Sequence, residues 1–115
     1  MNTTTDNEAP QRTIHHADAL QWLKGQGTLA GCSIVTSMPD ISEFPEMTLA
    51  DWKTWFTDAA ELVLSKCPDD GLTLFYQTDI KVDGQWVDKG FLVQKAAERL
   101  GHALIAHKIV CRSKP

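Results

Sequence analysis

Apolar residues recur along this chain in two rhythms, and the alternation between them predicts an α/β protein. Trp52, Trp55, Phe56, Ala59, Ala60 and Val63 fall at i, i+3, i+4, i+7, i+8 and i+11, the stripe of a helix with one face in a core. Thr48, with Asp51 three residues on, marks its start as an N-cap, Asp standing where a capping box has Glu. A second helical stretch, "DKGFLVQKAAERLG", puts Phe91, Leu92, Ala96 and Leu100 on one side, with Asp88 as N-cap and Gly101 as the C′ residue. A shorter one over residues 17–24 carries Ala17, Leu20 and Leu23, with Trp22 alongside, and ends at Gly25 and Gly27.

Between these helices lie short, near-continuous apolar runs that read as buried strands: residues 31–37, residues 72–78 ("LTLFYQT") and residues 103–111 ("ALIAHKIVC"), with a further short strand over residues 12–16. Val82-Asp83-Gly84-Gln85 is turn chemistry between Ile80 and Trp86, and "CPDDG" at residues 67–71 is a strong turn. Strands alternating with helices imply a mostly parallel sheet flanked by helices and joined by right-handed crossovers, a Rossmann-like half-sheet. In such sheets ligands gather beyond the carboxyl ends of the strands.

The totals narrow the field. A chain of 115 residues holds one domain, over residues 12–115, behind a polar tail at residues 1–11 expected to be disordered. No apolar run reaches the roughly 18 residues of a membrane span, and the first residues lack the basic and apolar regions of a signal, so a cytoplasmic, non-membrane protein is expected. Cys32, Cys67 and Cys111 are odd in number and widely spaced, which speaks against a disulfide framework or zinc site; Cys32 and Cys111 read as small hydrophobes in strands. A net charge of −4 means that a nucleic-acid partner would have to be gripped locally.

The candidate chemistry begins where the first long strand breaks, in "CSIVTSMPDISEFP". Ser37-Met38-Pro39-Asp40 follows a buried strand and precedes a capped aromatic helix. Together with "TIHHADALQWL", "GLTLFYQTDI" and "ALIAHKIVCR", it resembles the N-terminal half of the S-adenosylmethionine-dependent amino-methyltransferases that modify DNA and RNA bases, in the permuted order. That family carries (Asp, Asn or Ser)-Pro-Pro-(Tyr, Phe or Trp) after its fourth strand. Ser37 and Pro39 match, Met38 replaces the first proline, and Asp40 stands where the aromatic ring belongs.

The resemblance implies that Ser37 and the backbone of Met38 and Pro39 accept hydrogen bonds from an amino group and aim its nitrogen at the methyl donor. It further implies that Asp40 and Phe44 line the acceptor pocket and that Asp18 faces the cofactor, S-adenosylmethionine. Read from the residues alone, Asp18 is a helix N-cap, Thr36 to Asp40 a strand end with a turn, and Asp79 a turn residue.

No Gly-rich turn joins a strand to a helix in this sequence, as a cofactor cradle in this fold requires. The expectation is therefore an acceptor-side half, a fragment or a chain completed by a partner, inactive in methyl transfer by itself. The rival expectation is a non-catalytic α/β module that binds a nucleotide or a protein and keeps the methyltransferase outline.

Overall fold

The computed structural model describes residues 11–111, so all of the tail expected over residues 1–11 except Gln11 lies outside the described residues. In chain order the elements are α1 (Ala19–Lys24), β1 (Ile34–Thr36), a 3-10 turn (Ile41–Glu43), α2 (Leu49–Ser65), β2 (Thr73–Phe75), β3 (Ile80–Val82), β4 (Gln85–Val87) and α3 (Lys89–Arg99). The class is mixed α/β. The strands form two separate pairs: β1 with β2, parallel, and β3 with β4, antiparallel.

Helix α2 forms where the stripe places it. Thr48 Oγ accepts from the Asp51 N–H at 3.1 Å. Trp52, Phe56 and Ala60 are completely buried, and Trp55 sits at the margin of the core against Phe44, ring centroids 4.8 Å apart. α3 packs along α2, and the shared core includes the small side chains of Ala59, Ala60 and a fully buried Ala96. Arg99 closes the far end of the pair by bridging Asp58 and Glu61 at 3.2 Å each, and hydrogen bonding to Glu61 and Asp58 raises the guanidinium's pKa.

The caps of α3 form as the sequence predicts. Asp88 Oδ1 accepts from the Phe91 N–H at 3.0 Å. Gly101 adopts φ 72°, and the His102 and Gly101 N–H groups return to the Ala97 and Glu98 carbonyls. One expectation fails on this helix. Leu92 and Ala96 are buried, but Phe91 is 57% exposed, because it lies one position off the 92–96–100 row.

Strand pairing departs further from expectation. Residues 12–16 and 103–111 form no strand, and every one of them is exposed. An apolar run makes a strand only where a neighbour offers a ladder, and neither run has one among the described residues. The parallel pair aligns Ile34 with Thr73, Val35 with Leu74 and Thr36 with Phe75. Its pleat leaves Ile34, Thr36, Thr73 and Phe75 half-buried, and Phe75 packs on the core. Val35 and Leu74 point to the opposite face, 75% and 52% exposed, where no element of the described chain covers them. Cys32 and Cys111, expected among buried apolar neighbours, are likewise exposed.

The β3–β4 hairpin turns through Asp83 at φ 51° and Gly84 at φ 81°, the two positive values a two-residue hairpin loop of this twist demands. Ile80, Val82 and Val87 are its inward side, and Val87 is only 2% exposed. Among the described residues no helix is long and apolar enough to cross a membrane.

Candidate functional site

β1 and β2 end side by side, so the residues that follow them share the carboxyl rim of the parallel pair. The Tyr76 N–H donates to the Thr36 carbonyl at 2.9 Å, the last rung of the ladder. Just past that rung, two residues beyond Thr36 and one beyond Tyr76, the backbone of Met38 meets the side chain of Gln77. Gln77 Oε1 accepts from the Met38 N–H at 2.6 Å, and Gln77 Nε2 donates to the Met38 carbonyl at 3.2 Å. A primary amide satisfies both polar groups of one residue in this way, substituting for a strand neighbour that the corner has lost.

Met38 itself is buried at 9% exposure and belongs to the core with Trp52 and Phe56. Its side chain therefore serves packing. Ser37, just ahead, is exposed at the rim, and Pro39 is half-buried. The corner expected to present oxygen acceptors thus presents the Ser37 side chain, while the Met38 carbonyl already has one donor.

Asp40 faces a partner the sequence reading missed. Lys89 Nζ lies 2.6 Å from Asp40 Oδ1, the lysine side chain 2% exposed and the carboxylate 31%. The same ammonium stands 5.9 Å from the ring centroid of Trp52, within range of a cation–π attraction. The Lys89 N–H in turn donates to Asp79 Oδ1 at 2.9 Å, which fixes where α3 begins and gives Asp79 a structural role. A lysine at the first position of a helix opposes the helix dipole, so Lys89 was detectable in principle as a residue out of place.

Beyond Asp40 the loop is held down, not arched over a cleft. Glu43 Oε2 accepts from the Asp40 N–H at 2.9 Å, and Ile41, Phe44 and Met47 pack on the core margin. Phe44 leans on Trp55, so its ring is engaged. A hollow of about 330 Å³ lies against Glu43, Phe44, Pro45, Glu46 and Met47. It borders Phe44 but not Ser37 or Asp40, and its two glutamates disfavour a phosphate.

Asp18 acts as the N-cap of α1, its Oδ1 accepting from the Gln21 N–H at 3.0 Å, in an exposed position. Gly25 ends a helix, Gly84 and Gly101 serve turns, Gly71 lies against the Cys32 carbonyl, and Gly90 stands alone at the second residue of α3 after β4, so among the described residues no Gly-rich turn leads from a strand into a helix. No group of three or more His, Cys, Asp or Glu side chains stands at metal-binding distance among the described residues.

The structure therefore brings together Ser37, Met38, Pro39 and Asp40 with two residues not anticipated, Gln77 and Lys89. It places Phe44 at the loop's outer wall and Asp18 at a helix end. Comparison with protein-family models, with curated proteins and with solved structures found no match for this chain.

Proposed function

We propose that this chain is the acceptor-side part of an S-adenosylmethionine-dependent methyltransferase acting on an exocyclic amino group of DNA or RNA. The observation that supports it most is the clamped corner: an exposed Ser37 at the carboxyl rim of two parallel strands, with the following peptide held by both ends of the Gln77 amide. Ser37 Oγ would accept one N–H of the incoming amino group and so set the direction of its lone pair. The clamp keeps that oxygen from drifting, and positioning of this kind is what such a reaction asks of the acceptor side. The donor would be held by residues other than those described here, on a partner or a continuation that also covers Val35 and Leu74.

A second reading is favoured by the Asp40–Lys89 pair. An ion pair fills the place where the resembling family has an aromatic ring, as a non-catalytic binding module would tolerate. Isothermal titration with S-adenosylmethionine distinguishes the two, run on the chain alone and on the chain with its co-purifying partner. Heat of binding in the partnered sample, absent from the chain alone, is expected. No binding in either sample leaves the module reading.

A further inference from the structure

A second groove opens between α2, the hairpin and the start of α3. Its walls are Lys53, Trp86, Val87, Asp88, Phe91, Leu92 and Lys95, enclosing about 200 Å³. Val87 and Leu92 are buried and make its floor. Trp86 and Phe91 are 61% and 57% exposed, two large rings left in solvent beside the core. Lys95 Nζ lies 5.5 Å from the centroid of the Phe91 ring. Lys81 is paired across the hairpin with Trp86, so the two share its outward face.

Three lysines thus ring two exposed aromatic residues in a chain of net charge −4. None of the three is in an ion pair among the described residues, where the pairs involve Lys89 and Arg99. The one acidic wall residue, Asp88, has an oxygen committed to capping α3. Flat rings with cations around them fit a ligand that is itself flat and anionic: a base to stack and a phosphate to neutralise. The volume decides its size. Pockets for whole small ligands run to about 300–1,000 Å³, so this groove suits one unit of a chain that continues beyond it.

We propose that this groove is a binding site for single-stranded nucleic acid, one base stacking on Trp86 or Phe91 with adjacent phosphates on Lys53, Lys81 and Lys95. The choice of nucleic acid rests on the proposed acceptor class, but occupancy of the groove is measured without any methyl donor. Failure here and failure of methyl transfer are therefore separately readable.

The test is fluorescence anisotropy of an end-labelled single-stranded 12-mer, titrated with the protein over a series of salt concentrations. Binding should weaken with salt at a log–log slope of about −2, the value for roughly three neutralised phosphates on a single strand. Trp86→Ala should weaken it roughly 5- to 150-fold, the cost of one lost stacking ring. Lys53→Gln and Lys95→Gln should each reduce the slope by about 0.7. Lys24→Gln, on α1, matches the charge change away from the groove and should alter neither. The substituted side chains at 86 and 95 are exposed, and circular dichroism of each variant checks that it is folded. No binding at low salt overturns the proposal, as does binding indifferent to Trp86 and Lys95. Equal affinity for a mononucleotide overturns the strand assignment, and equal response to an acidic peptide overturns the nucleic-acid one.

Discussion

The side-chain amide of Gln77 closes on both polar groups of Met38, accepting from its N–H at 2.6 Å and donating to its carbonyl at 3.2 Å. These two residues stand 39 positions apart in sequence, so the pair fastens the end of β1 to the end of β2 just where the ladder stops. The corner is thereby tied across the two strands without being regular.

Removing that amide should loosen the corner measurably. Gln77→Ala leaves the Met38 N–H and carbonyl without partners in a half-buried place, a loss of about 1–3 kcal/mol. Gln77→Glu keeps the acceptor but turns a second oxygen toward the Met38 carbonyl, and should be at least as costly. Urea midpoints measure both effects. Hydrogen exchange at the Met38 amide should accelerate in each variant while that of Phe56, deep in α2, changes only with global stability.

The Asp40–Lys89 contact makes a different prediction, because a buried charge harms most when left alone. Lys89→Ala strands the carboxylate and empties a cavity beside Trp52. Breaking a fully buried pair costs about 3–5 kcal/mol, and the partial exposure of Asp40 reduces this to roughly 2–3. Replacing both partners, Lys89→Met with Asp40→Asn, should recover most of that loss, since no charge then needs compensation. A double-mutant cycle on Lys89→Met and Asp40→Asn by urea denaturation measures the coupling; a Lys89→Met variant as stable as the double one would show that packing of the lysine stem, which methionine keeps, is what counts.

Ser37 should separate function from stability. Its side chain is exposed, so Ser37→Ala should move the urea midpoint by no more than about 0.5 kcal/mol equivalent. On the proposed reading, the same change should lower methyl transfer by the partnered protein by about 10²-fold in kcat, the size of effect that misplacing a reacting group produces. A tritium-transfer assay reads it. Unchanged kcat would remove Ser37 from the acceptor site.

How much of this was legible depended on how local the cause was. The α2 stripe, the caps at Thr48, Asp88 and Gly101, and the Asp83-Gly84 turn are set by residues within a few positions of each other, and all appear as read. The apolar run over residues 103–111 has strand composition but no neighbour to pair with among the described residues, and composition alone does not reveal a missing neighbour. Phe91 sits one residue off the buried row, a shift that a helical count over a short segment does not resolve. Gln77 and Lys89 escaped notice because their partners, Met38 and Asp40, lie 39 and 49 residues away, although a lysine opening a helix is an oddity the sequence does display.

The uncovered face of the parallel pair supplies a prediction about the molecule in solution. Val35 and Leu74 are in register on that face, and Leu72 and Tyr76 flank Leu74 on the same side, each more than half exposed. Side chains at i and i+2 along β2 merge with their neighbour on β1 into one apolar surface, which water wets at a cost of about 25 cal/mol per Å². Such a surface binds anilinonaphthalene sulfonate and promotes self-association at high concentration. Substituting both central residues, Val35→Lys with Leu74→Lys, puts two ammonium groups on the face without touching the core side, where Phe75 packs. Dye fluorescence and light scattering should both fall while the helical circular dichroism signal of α2 and α3 is retained. If the double variant instead unfolds, the face is supporting the fold from within. Unchanged dye binding would move the sticky surface elsewhere, to Leu104, Ile105, Ile109 and Val110 on the unpaired segment, where the same lysine scan would locate it.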